Sequence, residues 1–247
     1  SNEGIAVADF DNDGNLDFVV ANGGGQPDVV YHNTGAGNFA ISAVLELPNG
    51  ESSNGRNVAV GDFNNDGNMD IAIAATSPNS VYFGDGAGGF GDAILLGDAE
   101  SFDVAVGRFD DDLFDDLVFA NVGSDSQVWI NSGGTGFTPG TVLPIGDAVS
   151  VAAADLNGDN LDDLVFGRIP GGSGDVPANP VMINQGGAAF GDSPVLLGLS
   201  TTADVLIGDV SDDGLPDLVF INSSGLHQIW TASGGSFALH GEQIIDI

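Results

Sequence analysis

Five nine-residue segments carry acidic and amide side chains at alternate positions: residues 9–17, 62–70, 108–116, 155–163 and 209–217. In the first segment, oxygen-bearing side chains stand at positions 1, 3, 5, 7 and 9, and Gly14 stands at position 6. Calcium takes six to eight oxygen ligands at about 2.3–2.6 Å, which alternate residues of a tight loop can supply. The spacing therefore predicts calcium-binding loops.

Four of the five loops have a set of oxygens that suits calcium, so we expect about four structural Ca²⁺ ions whose binding is linked to folding. Position 6 needs a residue that accepts positive φ, which glycine and, in the fourth loop, Asn160 can do. In two loops a leucine at position 7 offers only its backbone carbonyl. The predicted ligands are Asp9, Asp11, Asp13, Asn15 and Asp17; Asp62, Asn64, Asp66, Asn68 and Asp70; Asp155, Asn157, Asp159, Leu161 and Asp163; and Asp209, Ser211, Asp213, Leu215 and Asp217.

The third loop departs from this pattern, with Arg108 at position 1 and Leu113 at position 6. We hypothesise that the Arg108 guanidinium replaces the ion and pairs with Asp110, Asp112 or Asp116. Whether this loop binds any metal stays open.

The acidic loops have alternative interpretations, as EF-hands, as a glycine-rich nonapeptide β-roll, to which residues 84–90 hint without recurring in tandem, or as acidic turns without metal. An EF-hand would need a glutamate at position 12, where the first two loops have Val20 and Ile73, and flanking helices that the sequence does not favour. Acidic turns that hold only water are common singly, but four copies in register favour metal binding.

The loops begin 53, 46, 47 and 54 residues apart, a period that fits four short strands and is typical of a propeller blade. Apolar runs flank each loop, and a third run and a lone phenylalanine follow it. We therefore predict an all-β fold, a β-propeller of five four-stranded antiparallel blades. The five blades either close a ring by themselves or form part of a larger ring. The blades are expected at about residues 1–48, 49–97, 98–145, 146–198 and 199–247.

Composition narrows the classes of partner. The formal net charge is −33, lysine is absent and only three arginines occur, so nucleic acid is not an expected partner. No apolar run reaches membrane-spanning length, so no membrane insertion is expected.

The three histidines fall at different repeat positions without a matching serine or acid motif, so we do not expect an enzyme. Millimolar extracellular calcium would fill sites of moderate affinity, which favours a secreted or cell-surface location.

Residues 58–73, followed by residues 84–90, resemble the FG-GAP/VCBS repeat that is also found in integrin α-subunit propellers and a fungal propeller lectin. The resemblance implies calcium loops between the first two strands of each blade. It also implies that ligands meet the opposite face or the clefts between blades, where Arg56 and Arg168 are weak candidates for ligand contact. A local salt bridge is the alternative role for each arginine.

The expected function is a ligand-binding or adhesion module for a glycan or an extracellular protein. A non-catalytic spacer, or an accessory propeller of a larger secreted enzyme or toxin, is the alternative. One equivalent position of the third strand holds Tyr31, Tyr82, Trp129, Met182 and Trp230. This set would either stack on sugars or pack between blades, and the methionine favours packing.

Overall fold

The computed structural model describes residues 2–171, 177–191, 194–233 and 236–244. Residue 1 and residues 245–247, at the limits of the first and last predicted blades, lie outside the described residues. The regular elements of the described residues are all β-strands. None of these residues forms a helix long and apolar enough to cross a membrane.

In the part of the chain that the structure describes, twenty strands make five four-stranded antiparallel sheets, each built from four strands that are consecutive in sequence. The predicted fold class and blade number are therefore confirmed. The sheets are β1 (Asn2–Ala8), β2 (Asp17–Asn22), β3 (Asp28–Asn33) and β4 (Phe39–Leu45); β5 (Gly55–Gly61), β6 (Asp70–Ala75), β7 (Asn79–Tyr82) and β8 (Ile94–Leu96); β9 (Ser101–Gly107), β10 (Asp116–Asn121), β11 (Ser126–Asn131) and β12 (Phe137–Leu143); β13 (Ala148–Ala154), β14 (Asp163–Arg168), β15 (Ala178–Met182) and β16 (Val195–Leu199); and β17 (Thr202–Gly208), β18 (Asp217–Asn222), β19 (Leu226–Ser233) and β20 (Ser236–Ile244). We number the sheets as blades 1 to 5.

Each acidic loop connects the first and second strands of its blade. In blade 2 the last residue of β5, Gly61, pairs with Asp70, the first residue of β6 and position 9 of the loop. The corresponding pair in blade 1 joins Ala8 to Asp17. The strand pairing therefore closes the loop at its two ends and fixes where positions 1 and 9 lie.

The chain forms two compact units, residues 1–106, 114–119 and 129–138 in one and residues 107–113, 120–128 and 139–247 in the other. In the first unit, Phe10 and Val19 of blade 1 pack against Val58, Ile71 and Ile73 of blade 2. In the second unit, Leu156 and Val165 of blade 4 pack in the same way against blade 5. A second strand with a blade packed on each side is buried on both of its faces. In β6, for example, every residue is buried. Burying such apolar runs on both faces is the main driving force for this architecture.

A phenylalanine pair recurs where consecutive blades pack. The Phe10 ring, at position 2 of the first loop, meets Phe90 of blade 2 edge-to-face with ring centroids 5.6 Å apart. The Phe63–Phe137 and Phe109–Phe190 pairs repeat this contact at 5.8 Å and 5.7 Å. The lone phenylalanine that follows the third apolar run thus packs against the acidic loop of the preceding blade at Phe90, Phe137 and Phe190.

The set of aromatic residues and methionine on the third strands packs against the same apolar clusters. Tyr82 and Met182 are buried, and Trp129 and Trp230 are half-buried against cores of their own units. These four positions therefore serve packing, which the methionine had favoured.

Candidate metal centre

Backbone amides hold the carboxylates of the first loop in place. Asp9 accepts hydrogen bonds from the backbone N–H groups of Asp13, at 3.2 Å, and of Gly14, at 2.9 Å. Asp11 Oδ1 accepts a second bond from the Asp13 N–H at 3.2 Å, and Asp13 Oδ1 accepts from the Asn15 N–H at 2.8 Å. The chain therefore curls around the side chains at positions 1, 3 and 5, as a cation-binding loop requires.

The same bonding recurs in three more loops. In each of these loops the position 1 aspartate accepts hydrogen bonds from the backbone N–H groups of the residues at positions 5 and 6. These residues are Asp66 and Gly67 in the second loop, Asp159 and Asn160 in the fourth, and Asp213 and Gly214 in the fifth. Position 6 lies in the left-handed region in all four loops, with φ between 69° at Asn160 and 88° at Gly14 and Gly67. The sequence requirement for glycine or asparagine at this position is thus a backbone requirement.

The position 9 aspartates have a second role that sequence reasoning did not find. Asp17 Oδ2 accepts the N–H of Phe10 at 2.9 Å, while Asp17 Oδ1 accepts the N–H of Asn33 on β3 at 2.7 Å. Asp70, Asp163 and Asp217 make the equivalent pairs of bonds in their blades. Each of these buried carboxylates therefore joins its loop to the end of the third strand or, in blades 2 and 4, to the second residue after it.

The electrostatics of two of these buried carboxylates, Asp70 and Asp163, fit a cation. Burial raises the pKa of Asp70 and of Asp163 to about 6, although backbone hydrogen bonds oppose the shift. The neighbouring loop aspartates, Asp62 and Asp66 for Asp70, add to the rise. A carboxylate that is buried beside others of like charge lacks a compensating positive charge. A bound Ca²⁺ would supply it, with the loop oxygens as ligands.

In blade 1, two overlapping groups of acidic and histidine side chains bring their ligand atoms close together. The candidate ligand oxygens of Asp9, Asp11 and Asp17 lie within 4.8 Å of one another, as do the ligand atoms of Asp11, Asp13 and His32. His32 Nδ1 is 2.8 Å from Asp11 Oδ2 and 3.3 Å from Asp17 Oδ1. His32 was not predicted to lie at the loop. The sequence does single out His32, because it is the one ionisable residue at its repeat position. The other four blades have Phe83, Ile130, Ile183 and Thr231 there.

In the third loop, Arg108 acts through its backbone. Its N–H donates to Asp162 Oδ2 at 2.8 Å, and its carbonyl accepts from the Asp162 N–H at 2.9 Å. The side chain is exposed, and none of the ion pairs within the described residues involves it. The predicted pairing of its guanidinium with the loop aspartates is therefore not found.

The two arginines suggested as ligand contacts are engaged within the protein. Arg56 Nη2 lies 2.6 Å from Glu100 Oε1, and the guanidinium stacks 4.0 Å from the centre of the Phe102 ring. Arg168 Nε donates to the Gly146 carbonyl at 3.0 Å. These contacts favour a structural role within the protein, rather than contact with a ligand, for both side chains.

A cleft of about 340 Å³ lies between two of the predicted calcium loops. Its lining combines the fourth loop (Asp155, Leu156, Asn157 and Gly158) with the fifth (Gly214, Leu215 and Pro216) and Ala232. Apolar walls with a few polar groups, in this range of volume, are typical of small-molecule sites. The cleft would change shape if either loop lost its order.

The chain belongs to the FG-GAP repeat family. The FG-GAP-like repeat model matches residues 9–73 and 108–166, and the FG-GAP repeat model matches residues 54–96, which together make up more than half of the chain. The fold and the acidic loops thus define an FG-GAP repeat β-propeller. No curated protein matches the sequence.

Among solved structures, the chain is similar to the BP39L lectin from Burkholderia pseudomallei, with a TM-score of 0.70 and 16% identity over 98% of this chain and 69% of that one. A lectin from Agrocybe aegerita that recognises non-reducing terminal N-acetylglucosamine matches with a TM-score of 0.57 and 18% identity, over 95% and 64% of the two chains. A putative exo-β-1,3-galactanase from Bifidobacterium bifidum matches with a TM-score of 0.55 and 15% identity, over 97% and 91%. The chain thus spans about two thirds of the length of the two lectins, and at these identities the likeness shows the fold alone.

Proposed function

We propose that this protein is a calcium-stabilised, non-catalytic carbohydrate-binding module that acts outside the cell, secreted or at the cell surface. Its calcium ions are structural and hold four of the five acidic loops. Its ligand is a glycan that a concave site takes up by apolar contact and a few hydrogen bonds.

The calcium part of the proposal is supported by the shared bonding of the four loops. Each presents four or five oxygen-bearing side chains on one curled backbone. In two loops, burial also raises the pKa of the position 9 carboxylate, Asp70 or Asp163. These are hard oxygen donors, the type that calcium prefers over transition metals. Extracellular calcium is abundant enough to fill such loops, which supports the proposed location.

The cleft between the fourth and fifth loops is the observation that carries the carbohydrate part. Leu215 and Pro216 offer an apolar wall, and Asn157 and Asp155 stand opposite with oxygen and nitrogen atoms that can bond sugar hydroxyls. Because both walls belong to predicted calcium loops, glycan binding should depend on calcium. The propeller lectins from Burkholderia and Agrocybe, which share the fold, support this class of ligand.

Two of the three histidines, His32 and His227, support a non-catalytic role, and the third, His240, is exposed on β20. His227 is buried and accepts the N–H of Asn222 at Nδ1, at 3.1 Å, and His32 lies against the aspartates of the first loop. A general acid or base must reach the substrate with a free ring nitrogen or carboxylate oxygen, and both histidines face structural partners instead.

A glycan-array screen in calcium, repeated after chelation, tests the proposal. We expect binding to a defined sugar that chelation abolishes and added calcium restores. Leu215→Gln should weaken that binding about tenfold, because it places a polar amide in the apolar wall, while its metal-ligand carbonyl is unchanged.

Leu161→Gln is the matched control. Leu161 holds the same loop position in blade 4 but does not line the cleft, so its replacement should leave glycan binding unchanged. Absence of binding to any glycan in either condition would contradict the proposal and favour a protein-adhesion or spacer role. Equal losses in both variants would place the site elsewhere.

A further inference from the structure

His32 gives the first acidic loop a type of donor that the repeat does not supply elsewhere. At the same position of the third strand the other four blades have apolar residues or a threonine: Phe83, Ile130, Ile183 and Thr231. None of these four side chains offers a nitrogen atom, whereas the neutral imidazole is the commonest metal ligand among side chains. The first loop therefore differs from the other loops in the chemistry of its surroundings.

The imidazole of His32 lies against the aspartates of this loop. Its Nδ1 atom is 2.8 Å from Asp11 Oδ2 and 3.3 Å from Asp17 Oδ1. One ligand atom each of His32, Asp11 and Asp13 also lie within 4.8 Å of one another. The imidazole and at least two carboxylates can therefore reach the same ion.

The Nδ1 atom of His32 is buried, and within the described residues it makes no hydrogen bond. Its short distance to Asp11 Oδ2 thus brings a nitrogen and a carboxylate oxygen together without hydrogen-bond geometry. A protonated histidine that replaced the ion would instead point its N–H at a carboxylate oxygen. Two ligands of one zinc ion, with bonds of about 2.0–2.2 Å, lie roughly 3 Å apart without bonding to each other. The arrangement around Nδ1 is of this second kind.

The next residue on β3 fixes His32 in this position. Asn33 donates its backbone N–H to Asp17 Oδ1 at 2.7 Å and its side-chain amide to the Leu16 carbonyl at 3.1 Å. The other oxygen of Asp17 is held by the N–H of Phe10 at 2.9 Å. The strand that carries the imidazole is thus tied to the loop that carries the carboxylates, so the donor set is preorganised.

A donor set of one imidazole and two or more carboxylates suits a transition metal better than calcium. Calcium takes hard oxygen ligands, whereas imidazole nitrogen combined with carboxylate oxygen is typical of zinc and of other divalent transition metals. The three other predicted calcium loops offer oxygen as the ligand atom at every predicted position. The first loop should therefore prefer a different ion.

We propose that His32 makes the first acidic loop selective for a divalent transition metal of the zinc type, held by His32 Nδ1 together with Asp11 and Asp13. The inference rests on the proposed metal-binding role of the loops and changes only the ion that the first loop prefers. Calcium alone can still fill this loop through its carboxylate oxygens. With both metals present, the protein should hold about one zinc ion and about three calcium ions.

Titration calorimetry with Zn²⁺ in excess calcium, at about pH 7.5 where an ordinary histidine is neutral, tests the proposal. We expect about one zinc ion to bind per chain, and elemental analysis after dialysis should show one calcium lost for each zinc gained. His32→Asn should weaken zinc binding at least about tenfold, because an amide oxygen replaces the nitrogen ligand. The same oxygen suits calcium, so calcium binding by this variant should persist and would show that it is folded.

His240→Asn is the matched control. His240 is exposed on β20, where it could attract zinc without belonging to an acidic loop, so its replacement should leave zinc binding unchanged. Crystals of the parent protein grown with both metals give a readout that needs no variant. Anomalous scattering at the zinc edge should place zinc in the first loop beside His32, and not in the loops that begin at Asp62, Asp155 and Asp209.

Zinc binding that is unchanged in His32→Asn, or zinc scattering from another loop, would overturn this inference while leaving the calcium proposal intact. Zinc binding that is lost in His240→Asn and kept in His32→Asn would overturn it as well. A parent protein that binds neither calcium nor zinc would overturn both proposals.

Discussion

Asp70 Oδ1 accepts a hydrogen bond from the backbone N–H of Gly84, 2.8 Å away and fourteen residues further along the chain. The other oxygen of the same carboxylate accepts from the N–H of Phe63 at 2.8 Å. The side chain is buried, so both bonds lie away from water. Asp70 is thus a predicted metal ligand and, at the same time, the link between its loop and the third strand.

Asp70→Asn should destabilise the metal-free protein by about 1–3 kcal/mol, because the new amide NH₂ must face one of the two N–H donors. Urea unfolding in excess chelator measures this free energy. Asp66→Asn is the control, since Asp66 is exposed, and the bonds that it accepts from the Asn68 N–H at Oδ1 and from the Asn64 amide at Oδ2 both lie at the surface, where water can replace them. A similar cost for both variants would show that Asp70 does not link the loop to the strand.

Calcium should stabilise the fold at several sites. Each site would add about 2.7 kcal/mol to the free energy of unfolding at a free calcium concentration of about one hundred times its Kd. Thermal unfolding with calcium and with chelator measures the effect, and titration calorimetry should count about four ions. Crystals should show anomalous calcium peaks in four loops and none in the loop of Arg108. Unfolding curves that do not respond to calcium would contradict the metal assignment.

Gly67→Ala should cost about 1–2 kcal/mol, because Gly67 has φ of 88° and a Cβ disfavours this left-handed conformation. Thermal unfolding in chelator isolates the backbone effect from metal binding. Gly208→Ala is the matched control, since a Cβ there meets no atom within 4 Å and its φ is not positive. Equal tolerance of both substitutions would contradict a backbone requirement at position 6.

Asp28 should make stability depend on pH. Burial raises its pKa above the ordinary 3.8, although bonds from Ser53 and from the N–H of Asn22 oppose the shift. The folded state therefore holds its proton more tightly than the unfolded state. This contribution to stability is complete below about pH 3.8 and is lost as the pH rises through the raised folded pKa. Asp28→Asn should gain stability relative to the parent over that pH range.

Urea unfolding of both proteins at a series of pH values measures this difference. The comparison removes the titration of the other carboxylates, which the two proteins share. A difference that does not change between acid and neutral pH would contradict the raised pKa.

The strands and the loops could be predicted from the sequence because their signals are local. Short apolar runs between clusters of Gly, Asn and Asp indicate the strands, and the oxygens of one calcium loop lie within nine residues. Gly67 and Asn160 were assigned positive φ from residue type alone, and both have it.

The remaining features depend on strand pairing that joins distant residues. The partner of Asp17 on β3 is Asn33, sixteen residues away, and the partner of Arg108 is Asp162, fifty-four residues away in the next blade. The charge of Arg108 predicted an ion pair with the aspartates of its own loop. In the structure, the backbone N–H and carbonyl of Arg108 bond to Asp162 instead. The contact of Arg56 with Glu100 likewise joins residues whose proximity only the packed blades define.

The Phe10–Phe90 contact has an evolutionary consequence. Blades 2 and 3 each contribute one half of this contact from the acidic loop, Phe63 or Phe109, and the opposite half from the residue that precedes or opens the fourth strand, Phe90 or Phe137. Gene duplication in steps of one whole blade therefore reproduces a complete junction each time, whereas a duplication that ends inside a blade leaves an aromatic ring without its counterpart. The near-equal spacing of the five loops in the sequence is the pattern that such whole-blade duplications would leave.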